Sequence, residues 1–277
     1  MSTDLALGQE FRGGRGGVMA YISPSRLNCW LACPLKFKFQ YIDGLRLPTT
    51  PALFLGKAVH AGLEVYYRHR QLGVTLPADD VGRRLVDLWA ALIDEEGMKF
   101  GSAADEEASR RQAIELVCAY LRAVPPDEKP LAVEAAIEMP LVDPATGENL
   151  GLPLLGIVDV ILDSPSGPRV IDFKTSSRAS EPLEIVHEIQ LTSYAWLLRQ
   201  VSDRPEAGLE IRSLVKTKTP KVEFHQYPAR TEAHFQRLFA VVHAYLDDLD
   251  TERYLYRPGM GCGMCDFREG PCRRWQA

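Results

Sequence analysis

The sequence contains no long hydrophobic run and no excess of basic residues. Its apolar stretches, such as FAVVHAYL, are far shorter than the roughly 20 residues that a membrane-spanning helix requires. The first residues show no basic segment followed by an apolar one, as a secretory signal would, so we expect a cytoplasmic protein without a membrane partner. The formal net charge is −5, so binding to a nucleic acid would require a local basic patch.

Internal repeats, long linkers and the phosphate-binding pattern GxxxxGK followed by Ser or Thr are also absent from the sequence. The pattern therefore indicates no P-loop motor, and any motor would be a separate partner protein. With 46% hydrophobic and 25% charged residues, the composition is typical of a globular chain. We expect a flexible tail over residues 1–20, where the stretch GGRGG cannot bury apolar surface, and a single domain over 21–277.

The first half of the domain has a helical pattern. A helix begins with Ser23 as its N-cap, and Pro34 breaks or bends it. A second helix ends near Gly73, which is typical of a residue just beyond a helix C-terminus. Residues 79–124 show helical periodicity throughout, and we interpret 61–125 as a helical insertion on the same core.

The second half of the domain is rich in strand patterns. The runs LAVEAAIEMPLV, LLGIVDVILD and RVIDFKT are separated by strong turn sequences and predict a β-meander. A helix, two further strands and a final helix follow. The sum predicts an α/β fold with a central mixed β-sheet flanked by helices.

Acidic residues lie in two consecutive predicted strands. Asp159 is in GIVDVILD, and Asp172 is in VIDFKTSS with Lys174 two residues later. Residues i and i+2 of a strand share a face, so Asp172 and Lys174 project the same way. Apolar flanks indicate a buried strand, where charges are costly unless they are paired or bind a metal. The pattern is compatible with a structural ion pair and equally with a Mg²⁺ or Mn²⁺ site that includes Asp159.

The order of these motifs resembles that of the PD-(D/E)XK nuclease superfamily, in its RecB-like branch. The matching stretches are SPSRLNCWLACPLKFKFQYIDGL, GKAVHAGLE, GIVDVILD, VIDFKTSS and QLTSYAWLL, followed by the terminal cysteines. Each stretch has low specificity alone, whereas together they span the chain in the family's order. The resemblance implies a restriction-endonuclease-like core and hydrolysis of DNA with Mg²⁺ or Mn²⁺ as cofactor.

The resemblance also assigns metal ligands. His60 in GKAVH matches the histidine of the first family helix, and Asp159 matches the single acid that binds the cation from the second motif. Asp172 is the acid of the D-x-K pair, and the backbone carbonyl of Phe173 would add to the metal shell. One or two cations would neutralise charge on the phosphate and lower the pKa of a bound water.

Other residues are matched as catalytic partners of these ligands. Lys174 would orient the attacking water or help to deprotonate it. Gln190 and Tyr194 match the Q-x-x-x-Y motif, and at positions i and i+4 they share one face of a helix. From its pattern alone, Tyr194 could also be a core residue. We interpret Glu64 and Glu134 as structural or supporting acids.

Three cysteines, Cys262, Cys265 and Cys272, lie within eleven residues. Six cysteines without an export signal favour metal binding over disulfides, and thiolate sites commonly have four ligands. In the AddB-like relatives one early cysteine joins three late ones around a 4Fe–4S cluster, so the resemblance implies Cys33 as the fourth ligand. The cluster would join the N-terminal region to a C-terminal cluster segment, 258–277, and a structural Zn²⁺ is the alternative.

The two remaining cysteines have a different pattern. We interpret Cys29 and Cys118 as buried thiols that act as small hydrophobic residues, with Cys29 as the reserve ligand. A clip between Cys33 and Cys262 would close a loop around nearly the whole domain, which contributes about 5 kcal/mol in the chain-entropy model.

The resemblance implies a metal-dependent DNA exonuclease that prefers single strands and acts in DNA repair, recombination or phage DNA processing. Its partners would be DNA with a free end and a helicase or recombination protein. Basic and aromatic residues alternate over 26–46, which suits stacking on a single strand but equally an amphipathic helix with buried rings. Two alternatives remain: a non-catalytic DNA-binding or adaptor module of the same fold, and an end-trimming nuclease of CRISPR adaptation.

Overall fold

The computed structural model describes residues 20–177, 183–202 and 204–275, so all but the last residue of the predicted tail, 1–20, lies outside them. The helices are α1 (Pro24–Ala32), α2 (Pro34–Phe37), α3 (Pro51–Gln71), α4 (Ala78–Glu96), α5 (Ala103–Ala123), α6 (Leu183–Ser202) and α7 (Glu232–Asp250). The strands are β1 (Lys129–Val142), β2 (Asn149–Asp163), β3 (Arg169–Ser176), β4 (Gly208–Val215) and β5 (Lys221–Tyr227). Among the described residues, no helix combines the length and the apolar character needed to span a bilayer.

Capping residues set the ends of the first helices. Ser23 Oγ accepts a hydrogen bond from the backbone N–H of Arg26 (3.3 Å), and Pro24 occupies the first turn of α1. Cys33 is extended, and Pro34 begins α2 because proline has no N–H to continue the preceding helix. The predicted N-cap and the predicted break are both confirmed.

The helical region is interrupted between α4 and α5, so the prediction that residues 79–124 are helical throughout is wrong for the residues between these helices. Gly97 ends α4 in the left-handed conformation (φ +57°), and Ser102 begins α5 by accepting a hydrogen bond from Asp105 N (3.2 Å). A glycine followed five residues later by an N-capping serine is the signal that the periodic pattern concealed. Helix α3 runs unbroken across position 61, so the insertion over 61–125 begins inside a helix and stays a prediction.

The strands form one five-stranded mixed sheet in the order β1-β2-β3-β4-β5. Neighbouring strands are antiparallel, except that β3 and β4 are parallel and are connected through α6. Antiparallel neighbours need only a turn, whereas a parallel pair requires a crossover. The predicted central mixed sheet flanked by helices is confirmed.

Each face of the sheet packs against its own set of helices. Helices α1, α6 and α7 cover one face, whose core includes Val170. Helices α3, α4 and α5 cover the other face, whose core includes Ile171 and Phe173. Successive residues of β3 alternate between the two faces, and both faces are covered. Asp172, between Ile171 and Phe173, is therefore buried inside the protein, and its side chain is turned towards the α6 face.

A buried ionic network supports Phe173 on the face of the sheet that α3 and α5 cover. The Arg212 guanidinium donates hydrogen bonds to the hydroxyls of Tyr67 (2.8 Å) and Tyr120 (2.6 Å). It also binds Glu128 Oε1 at 2.5 Å. The rings of Tyr67 and Tyr120 both pack on Phe173, with centroids 5.9 and 5.4 Å from its ring. The position of Phe173, and with it the middle of β3, depends on this network.

Candidate active site

Strands β2 and β3 separate part-way along the sheet, and this fork holds the candidate active site. Their ladder ends at the pair Val160 and Ile171, whereas β3 remains paired with β4 as far as Ser176. Beyond the last pair, the Phe173 backbone N–H donates to Asp159 Oδ2 (2.6 Å). The Asp159 carboxylate thus accepts a hydrogen bond that a backbone carbonyl of β2 would accept in a continuous ladder. This bond holds Asp159 at the fork.

Asp172 and Lys174 lie on the same face of β3, as the strand period predicted. The Asp172 side chain is almost fully buried, and the Lys174 ammonium lies 2.5 Å from its Oδ2. Burial raises the pKa of Asp172, the Lys174 charge opposes this and Asp159 adds to it, which leaves the pKa at about 6. The lysine is therefore the group that keeps a buried acid close to ionised at neutral pH.

Helix α6 presents Gln190 and Tyr194 to this acid on successive turns. Gln190 Nε2 donates to Asp172 Oδ1 (3.0 Å) and to the Tyr194 hydroxyl oxygen (2.9 Å). Burial, together with the nearby Asp172, raises the pKa of Tyr194 far above its usual value. Tyr194 is therefore a neutral, fixed group that holds the Gln190 amide, and Gln190 in turn orients Asp172.

His60 reaches the fork from the middle of α3. Its Nδ1 lies 3.4 Å from Asp159 Oδ1, and its ring packs edge-on against Phe173. Burial lowers the pKa of His60, but the carboxylates of Asp159, Asp172 and Glu134 together outweigh this effect, so the pKa is raised. Gly56, one turn earlier, allows this approach, since a Cβ there would lie 3.1 Å from Thr175 Oγ1 of β3. The motif GKAVH therefore contains both Gly56, which allows the close approach of α3 to β3, and His60, the predicted metal ligand.

Glu134 of β1 joins the same site. The pairs of Val133 with Val160 and of Ala135 with Val158 place residue 134 directly opposite Asp159. Ligand atoms of His60, Glu134 and Asp159 all lie within 4.8 Å of one another. Burial and the Asp159 charge raise the pKa of Glu134 to about 7, and its backbone has a left-handed φ of +47°. Our interpretation of Glu134 as merely supporting missed this, because only the strand register reveals it.

The donor set fits a hard divalent cation. Two buried or half-buried carboxylates directly opposite each other on adjacent strands repel, and Asp172 adds a third nearby. Lys174 is the cation paired with these acids within the described part of the chain. An oxygen-rich site with one imidazole suits Mg²⁺ or Mn²⁺, which would be held by His60, Glu134 and Asp159. Ligation by Asp172 and by the Phe173 carbonyl stays a prediction.

Glu64 lies outside this ligand set. Its carboxylate pairs with Arg68 at 3.0 Å, one turn along α3, in a largely exposed ion pair. Such pairs contribute little to stability, and the observed contact agrees with the supporting role expected for Glu64.

Replacing Glu134 by Gln should weaken Mn²⁺ binding at this site about tenfold. The change keeps the side-chain size, removes one anionic ligand and relieves the repulsion with Asp159. Isothermal titration of the protein with Mn²⁺ measures the affinity without any cleavage assay. Glu64→Gln serves as the matched control and should bind Mn²⁺ like the wild type. Unchanged Mn²⁺ affinity in Glu134→Gln would exclude Glu134 as a ligand.

The aromatic residues over 26–46 are mainly turned inward. Trp30, Phe37 and Phe39 are buried, and Trp30 Nε1 donates to Asp248 Oδ2 (2.9 Å) in α7. The amphipathic alternative is therefore the correct one for these three rings, which are not available to stack on a strand.

The four cysteines predicted as cluster ligands line one cavity of about 270 Å³, between α2 and the segment that follows α7. They are Cys33, Cys262, Cys265 and Cys272. Burial and the charges of the other three sulfurs raise the pKa of Cys272. Residues distant in the sequence are thus brought together, and their thiolates would need a cation to lie close to one another.

The two other cysteines lie elsewhere. Cys29 donates to Gln40 Oε1 (3.8 Å), and burial raises its pKa to about 11, which keeps it a thiol. Cys118 is buried and donates to the Ala78 carbonyl (3.6 Å). The interpretation as a buried thiol is confirmed for Cys118, whereas Cys29 is a half-buried thiol near Cys33 and Cys265.

Comparison with known proteins gives a family and a fold. A solved structure of a candidate exonuclease from Eubacterium rectale has a TM-score of 0.60 and 13% identity, and the match covers 93% of this chain and 90% of that one. The structure of SSO0001 is also 13% identical over 88% of this chain and 96% of its own, with a TM-score of 0.40. No curated protein is similar enough to count as a match. The family model of the PD-(D/E)XK nuclease superfamily matches residues 21–270, and the chain therefore belongs to that superfamily.

Proposed function

We propose that the protein is a metal-dependent DNA exonuclease of the RecB-like branch that prefers single strands. The observation that carries this proposal is the set at the fork, where Asp159, Asp172 and Lys174 lie together with His60. A module that only binds DNA has no need to bury two acids beside a lysine, because buried charges cost stability unless they serve a purpose.

The residues of the fork have different roles in the proposed hydrolysis. Bound Mg²⁺ or Mn²⁺ would supply Lewis-acid stabilisation of the phosphate and a water of lowered pKa. Asp159 is oriented by the Phe173 N–H, and Asp172 by Gln190, so both carboxylates are fixed before substrate arrives. Lys174 is partly exposed beside Asp172, and in this proposal it orients the attacking water or accepts its proton.

The proposed substrate is DNA with a free end. Lys216 and Lys218 of the β4–β5 turn line, together with Arg111, a cleft of about 690 Å³ near the end of β4. None of these three side chains forms an ion pair with another described residue, so they are available to phosphates. The supporting neighbour from Eubacterium rectale is described as an exonuclease, which favours cutting from an end. Action in repair, recombination or phage DNA processing, beside a helicase or recombination protein, completes the proposal.

Degradation of end-labelled DNA tests the function. Single-stranded and double-stranded oligonucleotides carry the label at either end, and the full-length protein acts on them with Mg²⁺, with Mn²⁺ or with a chelator. We expect metal-dependent loss of label, faster on single strands, with the labelled end reporting the direction of cutting. Tight DNA binding without cleavage of any substrate would instead identify a non-catalytic module. Cleavage confined to short end overhangs would favour the end-trimming alternative.

We also propose that Cys33, Cys262, Cys265 and Cys272 hold a 4Fe–4S cluster, with Zn²⁺ as the alternative. A zinc ion bonded to four thiolates at about 2.3 Å brings the sulfurs to within about 4 Å of one another. Either group would be held by the four cysteines that line the shared cavity. The cluster is a structural clip in this proposal and takes no part in hydrolysis.

Replacing Cys272 by Ala should remove the cluster and lower the free energy of unfolding by several kcal/mol, towards the value of about 5 kcal/mol for a loop of this length. Iron and zinc content of anaerobically purified protein, and its chemical denaturation, measure the two effects. Cys118→Ala removes a buried thiol far from the cavity and should leave the metal content unchanged. Equal metal content in Cys272→Ala and wild type would contradict the proposed ligand.

A further inference from the structure

A further cavity, which we call the α1–α6 cavity, adjoins the active site on the side of α6. It has a volume of about 420 Å³ and is lined by Ser25 and Asn28 of α1 and by Val186, His187 and Gln190 of α6. Gln190 is the residue that donates to Asp172 Oδ1, so one wall of the cavity belongs to the active site. The volume is within the range of about 300–1,000 Å³ that is typical of sites for small ligands.

The lining of the cavity is polar but uncharged. The Asn28 amide forms no hydrogen bond with another described residue, and it offers two donors and one acceptor to a ligand. Burial and the nearby Lys174 charge lower the pKa of His187 to about 4, so its imidazole is neutral at pH 7. None of the five lining residues carries a charge at that pH, and the nearby Lys174 ammonium is already paired with Asp172, so the lining itself offers a phosphate group no cation.

Apolar surface completes the cavity. Val186 in its wall is 65% exposed, and the adjacent Ile185 is 73% exposed. These side chains add exposed apolar surface next to the polar groups of the cavity, and contiguous apolar surface is typical of binding sites. A flat, partly apolar ligand with hydrogen-bonding edges matches both the aliphatic wall and the Asn28 amide. Nucleobases have this chemistry, whereas the phosphate backbone does not.

We propose that the α1–α6 cavity binds the base of one unpaired nucleotide, adjacent to the phosphodiester that is cut at the fork. The inference rests on the proposed nuclease function and adds the part of the substrate that is recognised. A phosphodiester beside Asp172 has a nucleoside on each side, and the one towards α6 meets the cavity. A base enclosed between Asn28 and Val186 cannot remain paired with a complementary strand. The cavity therefore provides a physical basis for the preference for single strands.

Binding of abasic oligonucleotides tests the proposal without cleavage. The probe is a fluorescein-labelled oligothymidine of about ten nucleotides, with one abasic position moved along the strand, in the presence of chelator. We expect the wild type to lose affinity about tenfold when one particular position lacks its base. Asn28→Ala should bind the intact strand about fivefold more weakly and lose the sensitivity to that position. Fluorescence anisotropy measures the affinities, and thermal melting shows whether each variant is folded.

Two further variants make the test decisive. Asn28→Asp keeps the size of the side chain but removes its donors, so it should behave like Asn28→Ala even if that variant is unstable. Gln226→Ala removes an exposed amide from β5, which lines neither cleft, and should retain the positional sensitivity. An abasic penalty that is the same in wild type and in both Asn28 variants would overturn the proposal.

The binding test separates this proposal from the nuclease function. Positional sensitivity lost in the Asn28 variants, in a protein that cuts no DNA, would uphold the base-binding cavity and reject the nuclease. Metal-dependent cutting with no loss of affinity at any abasic position would uphold the nuclease and reject the base-binding cavity.

Discussion

Replacing Lys174 by Ala should slow DNA cleavage about a thousandfold while the protein remains folded. The ammonium lies 2.5 Å from Asp172 Oδ2, in an environment where the acid is almost fully buried. In the proposed mechanism, its removal takes away the group that orients the attacking water or accepts its proton. It also leaves Asp172 without the cation that opposes the cost of burying its charge. Single-turnover cleavage of a labelled strand at saturating Mn²⁺ measures the rate.

A lysine elsewhere on the sheet provides the control for this prediction. Lys221 begins β5, is exposed and has no contact with the fork, so Lys221→Ala should cut at the wild-type rate. Thermal melting of both variants shows whether a lost rate reflects lost structure. Wild-type cleavage by Lys174→Ala would remove the lysine from the mechanism and leave only an ion pair.

Replacing Arg212 by Ala should lower the free energy of unfolding by about 3–5 kcal/mol. The guanidinium is 2% exposed and binds Glu210 Oε1 (2.9 Å) and Glu128 Oε1 (2.5 Å) in addition to two tyrosine hydroxyls. Its loss leaves buried Glu210 without its closest cation and removes the donors that hold the rings under Phe173. Urea denaturation measures the effect, and cleavage should fall as well because β3 loses its support.

An exposed arginine is the matched control. Arg237 forms a single ion pair with Glu188 (2.6 Å) and is more than half exposed. Arg237→Ala should lower the free energy of unfolding by at most about 1 kcal/mol, because an exposed ion pair is little more stable than its two hydrated charges apart. If the two arginine variants were equally stable, the network around Arg212 would have no structural role.

Features with a short sequence period were predictable. The alternation of β3 placed Asp172 and Lys174 on one face, and the i, i+4 spacing placed Gln190 above Tyr194, where the hydrogen bond is observed. The N-cap at Ser23 and the break before Pro34 followed from local backbone chemistry. These features depend only on residues close together in the sequence, so the sequence contains all the information needed to predict them.

Features that depend on register or on distant partners were not predictable. Glu134 faces Asp159 only because of the exact pairing between β1 and β2, which no local pattern encodes. The rings of Trp30 and Phe37 had two readings until the helices that bury them were known. Likewise, the α1–α6 cavity combines residues that are far apart in the sequence, such as Asn28 and His187.

The contact between the first helices and the last segment bears on how the chain is made. Leu35 N donates to Leu255 O (3.2 Å), and Phe39 packs on Phe267 (5.6 Å) across more than 200 positions. Trp30 of α1 is already covered once α7 has been made, whereas Leu35 and Phe39 are covered only when residues 253–275 have been synthesised. The sheet can form before that moment. A nascent chain must therefore keep this small apolar surface from aggregating until its partner segment has been synthesised.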